Sequence, residues 1–301
     1  MIVVNYRSGD ALAHALRAAR GFGGPEARLT VVDNSPEDGA ATAARAELPD
    51  VRVIESETNV GFAVAVNRAL AETSAPLVLL LNPDVSSIEG SLESVEESFA
   101  ADPRVAALGA RLRNHDGTVQ PSARREPRSI DLFVDGLGLR NRFPRWKWPR
   151  RAFQAEEGGG IVDTVFGACL FIRRAALDDI GPFDERFFVY AEETDWLVRA
   201  KRRGWKTVVS GDVQAVHRLR GSTDTSEETL SLLLLESNYA YSAKHLGRAR
   251  TLALRLGLGG ADSARWVAAA LRAKREHRCA LEGRLAVHAG RGSPGFPRRR
   301  G

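Results

Sequence analysis

The sequence predicts an α/β protein built on a mixed, mostly parallel sheet with helices on both faces. Three observations carry that expectation. Short β-rich runs alternate with helical patterns of about ten residues through the first half of the chain, which is how βαβ units read. The β-rich runs are continuously apolar instead of alternating, as expected when helices cover both sheet faces. They also end in polar residues, in Val31-Val32-Asp33-Asn34 and Leu80-Leu81-Asn82-Pro83-Asp84.

Taken in order, Ile2 to Asn5 reads as a strand and Ala11 to Ala19 as a helix. Leu29 to Val32 is a strand, Ala40 to Glu47 a helix, Val51 to Ile54 a strand, Phe62 to Ala71 a helix and Leu77 to Leu81 a strand. Ligands of such sheets bind beyond the carboxyl ends of the strands, so Asp33 and Asp84 stand where chemistry is expected. From Pro121 to Gly160 the pattern breaks into Pro, Gly, Arg and Trp, a long irregular loop of the kind that often carries function. Order returns with a strand over Val162 to Ile172, a turn at Gly181-Pro182-Phe183 and a helix over Glu192 to Arg203, closed by Gly204. Lys206 to Val209 and Val213 to Val216 read as two short strands before His217. Beyond Leu230 the chain is helical to about Arg278, and its Gly/Pro/Arg end carries no expected order.

With 44% hydrophobic and 27% charged residues, the 301-residue chain can bury a core, which excludes wholesale disorder, collagen and coiled coil. Its length fits one large domain or two modest ones. The longest apolar runs, Leu77 to Leu81 and Leu232 to Leu235, are too short to span a bilayer. The start carries no basic n-region and no signal-type apolar stretch. Cys169 and Cys279 match no metal or redox spacing, so a reducing, cytoplasmic compartment is expected.

The net charge of +5 is unevenly placed. Fourteen basic against three acidic residues give the segment from Lys244 onward +11, leaving −6 on residues 1–243. An acidic body with a basic tail points to a polyanionic neighbour, a membrane or a nucleic acid, although a solvated basic helix has the same composition. A second basic stretch, Arg140, Arg142, Arg145, Lys147, Arg150 and Arg151, is interleaved with Phe143, Trp146 and Trp148. That mixture suits a bilayer-interface anchor, a nucleic-acid stacking surface, or a loop whose aromatic rings pack on the body.

Neither G-x-G-x-x-G after a strand nor a P-loop occurs, which argues against dinucleotide oxidoreductases and P-loop NTPases. A nucleophile elbow and H-E-x-x-H are also missing. What remains is a set of carboxylates at element ends, Asp33, Asp84, Glu192, Glu193 and Asp195, with His217 downstream. Such a set can hold a hard divalent cation shared with a substrate diphosphate, and can supply a general base. Each residue also has a plain structural use. Asp33 before Asn34-Ser35-Pro36 can cap a turn, Glu192 and Glu193 can complement a helix N-terminus, and Asp195 can pair with Arg199 one turn on.

The order of the motifs is more specific than any one of them. Asn5-Tyr6-x-Ser8, Val31-Val32-Asp33-Asn34-Ser35, Asn59-Val60-Gly61-Phe62-Ala63 with Asn67, and Leu81-Asn82-Pro83-Asp84 occur in succession. They are followed by the run from Gly167 to Arg174, the run from Gly181 to Asp195, and Val216-His217. Over roughly residues 2–245 this resembles the inverting family 2 glycosyltransferases, most closely their rhamnosyltransferase branch. The block Asp116 to Arg124 is similar to actinobacterial enzymes that add rhamnose to a polyprenyl-diphosphate-linked GlcNAc.

The resemblance implies a GT-A fold over residues 1–243, with a nucleotide-sugar half to about residue 110 and an acceptor half over about 111–243 that contains the loop 121–160. Residues 244–301 form a basic helical extension and tail. It implies that Asn5, Asp33, Asn59, Gly61, Phe62, Asn67, Asn82, Asp84 and Arg199 bind the nucleotide sugar. Asn82-Pro83-Asp84 stands in place of the D-x-D motif, with Asp84 and His217 as ligands of Mg2+ or Mn2+. Glu193 falls at the base position, usually Asp, so Asp195 is carried as a second catalytic candidate.

The implied activity moves L-rhamnose from dTDP-rhamnose to a sugar hydroxyl of a lipid-linked or polysaccharide acceptor in cell-envelope synthesis. A UDP-sugar donor (GlcNAc or galactofuranose) is the alternative within the family, and a basic nucleic-acid-binding protein the alternative outside it. No nucleic-acid module pattern occurs, so nucleic acid is not the expected partner. An anionic membrane is, with the enzyme peripheral on the inner face.

Overall fold

The computed structural model describes residues 1–143, 152–153, 159–218, 226–271 and 275–292. Arg145, Trp146, Lys147, Trp148, Arg150 and Arg151 of the basic stretch, and the Arg298 to Arg300 end, lie outside the described residues.

The elements run β1 (Ile2–Asn5), α1 (Asp10–Gly23), β2 (Thr30–Asp33), a 3-10 turn (Pro36–Asp38), α2 (Ala40–Glu47), β3 (Arg52–Glu55), α3 (Phe62–Ala71), β4 (Leu77–Leu81), β5 (Val85–Glu89) and α4 (Leu92–Ala101). Then come β6 (Val105–Arg113), β7 (Ala123–Arg124), α5 (Ser129–Gly136), α6 (Leu139–Arg142), β8 (Ala152–Phe153), β9 (Gly160–Val162), β10 (Thr164–Val165), β11 (Cys169–Arg173) and α7 (Arg174–Ile180). The chain continues through α8 (Glu192–Arg202), β12 (Lys206–His217), α9 (Glu227–Tyr241), a π turn (Ser242–Leu246), α10 (Arg248–Leu271) and α11 (Arg275–His288).

These elements form two units. The first holds residues 1–126, 152–185 and 192–224; the second holds 127–151, 186–191 and 225–301.

The first unit is a nine-stranded sheet of order β3-β2-β1-β4-β11-β6-β12-β5, with β9 added beside β12. β1 to β4 are all parallel, as the βαβ reading requires. β11 then enters antiparallel to both β4 and β6, and β5 runs antiparallel to β12. Successive strand residues bury on opposite faces. Val3, Val31, Leu79, Leu81 and Phe171 pack with residues of α1, α2 and α4. Ile2, Val4, Val32, Leu80 and Leu170 pack with residues of α3, α7 and α8. Both faces are therefore core, and truncating one such leucine to alanine costs about 3 kcal/mol.

Four expectations are corrected. The single strand over 162–172 is three, β9, β10 and β11, because the chain changes sheet: β10 belongs to a separate three-stranded sheet with β7 and β8. The two short strands before His217 are one, β12, with a register shift between Val209 and Gln214 that absorbs Ser210-Gly211-Asp212. The stretch 121–160 is not wholly irregular, since α5 lies within it. Helix also continues past Arg278, to His288.

The second unit is helical. Asp262 of α10 is its buried polar centre: its carboxylate accepts from Arg265 Nη1 at 2.9 Å and Arg284 Nε at 2.7 Å, and meets His288 Nε2 at 2.8 Å. The other ring nitrogen of His288 meets the Tyr239 hydroxyl at 2.5 Å. Arg284 and Arg265 continue to the Gly136 and Leu137 carbonyls at 2.8 and 2.9 Å, tying α10 and α11 to the end of α5.

Candidate active site

The polar residues at the strand ends are drawn into two groups on the first unit. The first forms where β1 and β2 end side by side, Asn5 paired with Asp33 in register. Asn5 Nδ2 donates to Asp33 Oδ1 at 2.8 Å, and the Ser35 N–H donates to the same oxygen at 3.1 Å. Burial outweighs these bonds and raises the Asp33 pKa above the ordinary carboxylate value. Asn59 Oδ1 accepts from the Gly61 N–H at 3.0 Å. Gly61 has φ 83°, a left-handed conformation that glycine adopts without penalty, and it opens α3 with Phe62 as first residue. Asn34, not singled out from the sequence, sends Nδ2 toward the Gly61 carbonyl at 3.4 Å, while its buried Oδ1 has no hydrogen-bond partner.

The second group is built by β4, β5 and β12. The turn Asn82-Pro83-Asp84 joins β4 to β5, and His217 lies opposite Val85 in the β5–β12 ladder, so Asp84 and His217 meet. His217 Nε2 is 3.2 Å from Asp84 Oδ1, both residues being buried. That oxygen nevertheless accepts no hydrogen bond.

Gln120 explains why. Its Nε2 donates to the His217 carbonyl and to Asn114 Oδ1, both at 2.6 Å, which fixes the orientation of the amide. Gln120 Oε1 therefore faces His217 Nδ1, at 3.1 Å, and an amide oxygen only accepts. A ring proton therefore sits on Nδ1, and Nε2 faces the Asp84 carboxylate. That spacing is bridged either by the second proton of an imidazolium or, with a neutral ring, by a metal cation. The neutral ring with its proton on Nδ1 is the tautomer of a metal-ligating histidine held by an outer partner.

Glu193 is near the start of α8, on a helix entered through Tyr190 and Ala191, whose φ of 69° and 66° are costly for non-glycine residues. Arg124 Nη1 reaches Glu193 Oε1 at 3.3 Å, and its guanidinium lies over the Phe166 ring, 3.5 Å from the centroid. A β-carbon on Gly167 would come 3.4 Å from Glu193 Cγ. The next residue, Ala168, accepts at its carbonyl from the Asn82 N–H at 2.9 Å. One stretch of backbone thus links the Glu193 position to the Asp84 turn. Glu192 is buried, its Oε2 without a hydrogen bond. Burial first, and the charge of Glu193 second, push its pKa well above the ordinary glutamate value.

Three further candidates lie elsewhere in this unit. Asp195 follows Glu193 by two residues, about 200° around the helix, and so faces away from it. It is fully buried against Arg199 Nε at 2.9 Å. Arg199 gives its remaining nitrogens to the Ile180 and Pro182 carbonyls at 3.0 and 2.7 Å. Asn67 clamps Phe183 with both ends of its amide, donating to the carbonyl at 2.8 Å and accepting from the N–H at 3.0 Å. The structure gives all three the contacts of struts between α3, α8 and the turn after α7.

Among the described residues no three His, Cys, Asp or Glu side chains gather as an all-protein metal cage. The Asp84–His217 pair suits an ion that keeps other positions for substrate oxygens, since two adjacent ligands of an octahedral ion with bonds of about 2.1 Å stand roughly 3 Å apart.

A mixed-sheet α/β enzyme with acids at its strand ends and a histidine poised beside one of them is the class that fold and site define. The chain belongs to the family described as glycosyl transferase family 2, whose model matches residues 1–181. It is 30% identical over 261 residues to the N-acetylglucosaminyl-diphospho-decaprenol L-rhamnosyltransferase of Mycobacterium tuberculosis, covering 82% of this chain and 85% of that one. To the low-salt glycan biosynthesis hexosyltransferase Agl10 of Haloferax volcanii it is 25% identical over 223 residues, 72% of this chain and 66% of that one. A Pyrobaculum calidifontis mannosyltransferase solved with GDP-Man and Mn2+ superposes with TM-score 0.53 at 19% identity, over 96% of this chain and 79% of that one. GalNAc-T7, solved with UDP, GalNAc and Mn2+, superposes with TM-score 0.56 at 11% identity, over 80% and 47%. These likenesses place the fold among the GT-A glycosyltransferases.

Proposed function

We propose that this glycosyltransferase moves L-rhamnose, with inversion, from dTDP-rhamnose to a hydroxyl of a GlcNAc unit carried on a polyprenyl diphosphate. The acceptor and sugar rest on the mycobacterial relative. The site reading rests on one observation above others: the buried Asp84 Oδ1, which accepts no hydrogen bond, 3.2 Å from His217 Nε2.

In this reading Asp84 and His217 would hold Mg2+ or Mn2+, which would supply positive charge to the departing diphosphate. Asn5, Asp33, Asn34, Asn59, Gly61 and Phe62 form the nucleoside pocket, and Asn82 approaches the diphosphate from the same turn as Asp84. Glu193 accepts the proton of the attacking hydroxyl on the face opposite the leaving group, and a single base in that position produces inversion. The Arg124 guanidinium stands beside Glu193, where it favours the charged form that a base needs. Asn67, Asp195 and Arg199 support this arrangement without touching the reacting atoms. Residues 1–243 carry the catalytic fold, with the donor half to about residue 110, and 244–301 serve as an extension. The enzyme works at the inner membrane face, where its acceptor's sugar projects into the cytoplasm.

The test is transfer from radiolabelled donors to a GlcNAc-diphosphoprenol acceptor. Product from dTDP-rhamnose and none from UDP-GlcNAc or UDP-galactofuranose is the expected result, and the reverse preference would assign the alternative donor.

A further inference from the structure

α10 exposes an apolar stripe. Leu252, Leu256, Val267 and Leu271 are 57%, 67%, 51% and 84% exposed, although all four are large and aliphatic. On a helix advancing 100° per residue they fall within an arc of about 100°, spread over roughly 28 Å of axis. Ala253, Gly260, Ser263 and Ala270 share the same arc, so no charge interrupts it between Leu252 and Leu271.

The opposite face of α10 is held. Leu254 and Leu258 are buried there, and Asp262 is bonded to Arg284 and His288 of α11 at 2.7 and 2.8 Å. The helix therefore cannot turn its stripe inward. Large aliphatic side chains exposed in line along one helix face suit an interaction site.

Cations flank the stripe at both ends and none lies on it. Lys244, Arg248 and Arg250 precede it, and Arg272, Lys274, Arg275 and Arg278 follow it. No described helix is long and apolar enough to cross a membrane. An uncharged apolar face bounded by cations is the composition of a helix that lies in the interface of an anionic bilayer. Self-association fits less well. With both ends basic, pairing of two copies through α10 sets cation against cation in parallel and in antiparallel register alike.

We propose that the exposed face of α10 is the membrane-docking surface of this enzyme, with Leu252, Leu256, Val267 and Leu271 seated among the acyl chains and the exposed Arg248 and Arg250 on anionic headgroups. This deepens the reading of a lipid-linked acceptor, on which its purpose rests.

The experiment is flotation of the full chain with vesicles of phosphatidylglycerol and phosphatidylcholine, or of phosphatidylcholine alone, comparing wild type with Leu252→Glu/Leu256→Glu and with Leu256→Trp. Anionic vesicles should float wild type. The double variant should partition at least tenfold less, with an unchanged circular-dichroism melt, and Leu256→Trp should bind at least as well as wild type. Flotation of the double variant equal to wild type would overturn the proposal. So would light scattering that shows a wild-type dimer dissociated by the double variant, since a second copy would then cover the stripe. Both variants should transfer sugar normally to a short-chain, water-soluble acceptor without vesicles. Failure of wild type in that assay would count against the proposed reaction, whatever the flotation result.

Discussion

Arg124 Nη1 stands 3.3 Å from Glu193 Oε1, and its guanidinium is held over the Phe166 ring. This is the cation beside two neighbouring buried carboxyls, Glu192 and Glu193. Burial and the adjacent charge already raise Glu192, whereas Arg124 acts to lower it. Without Arg124 the pair would retain a proton to higher pH, shared between them. Arg124→Gln is therefore expected to move the acidic limb of the kcat/KM profile upward by about one pH unit, lowering activity roughly tenfold on the acid side of the limb and much less at neutral pH. Arg124→Lys should bring the limb part of the way back. A limb that stays in place in Arg124→Gln would reduce the contact to a packing role.

The two acids of α8 should separate by what their loss affects. Glu193→Gln is expected to lower kcat by at least about a hundredfold while leaving the melting temperature nearly unchanged. Asp195→Ala strips a buried partner from Arg199 and should cost about 3 kcal/mol in denaturant unfolding. Near-normal turnover in Glu193→Gln would remove it as the base.

Gln120 holds the imidazole of His217 in the tautomer that frees Nε2. Outer partners of metal-ligating histidines typically change metal affinity by roughly ten- to a hundredfold when removed. Gln120→Leu should weaken Mn2+-dependent donor binding by that factor without changing metal-free donor binding. Equal loss in the presence and absence of Mn2+ would show that Gln120 acts only on the fold.

Asp262 supplies a pH signature for the second unit. Burial raises its pKa, but the bonds to His288, Arg284 and Arg265 together outweigh that and lower it to about 2. The unfolded carboxyl titrates near 3.9. A lowered folded pKa contributes stability that is present above about pH 4 and is lost as pH falls toward 2. Glu192 has the opposite sign: its contribution is complete in acid and declines as pH rises through its raised folded value. Chemical denaturation at descending pH should show stability loss below about pH 4 that is blunted in Asp262→Asn. An identical acid dependence in the variant would place the sensitivity elsewhere.

Local signals in the sequence carried the first half of the fold. The alternation of apolar runs and helices located β1 to β4 and α1 to α3 within a few residues, because each element is specified by its own short pattern. Asp33 and Asp84 were legible for the same reason, as polar residues closing apolar strands. What escaped was non-local. The antiparallel entry of β11 between β4 and β6 depends on pairing over about ninety residues, which no periodicity records. Gln120 reaches His217 across 97 positions and Arg124 reaches Glu193 across 69. Both residues stood inside a quoted motif, but nothing in their spacing announced a partner. Asn67, Asp195 and Arg199 show the converse: family position made Asn67 and Arg199 donor contacts and Asp195 a catalytic candidate, and no local pattern announced that hydrogen bonding also gives each a partner inside the fold.

The most direct test of the account is calorimetric titration of dTDP-rhamnose into wild type and Asp84→Asn, with Mn2+ and with EDTA. Mn2+ should tighten donor binding to wild type at least tenfold and leave the variant unaffected, because in the proposed reading Asp84 and His217 would hold the ion against the diphosphate. Donor binding to wild type that is indifferent to EDTA, or enhanced by Mn2+ equally in Asp84→Asn, would contradict it.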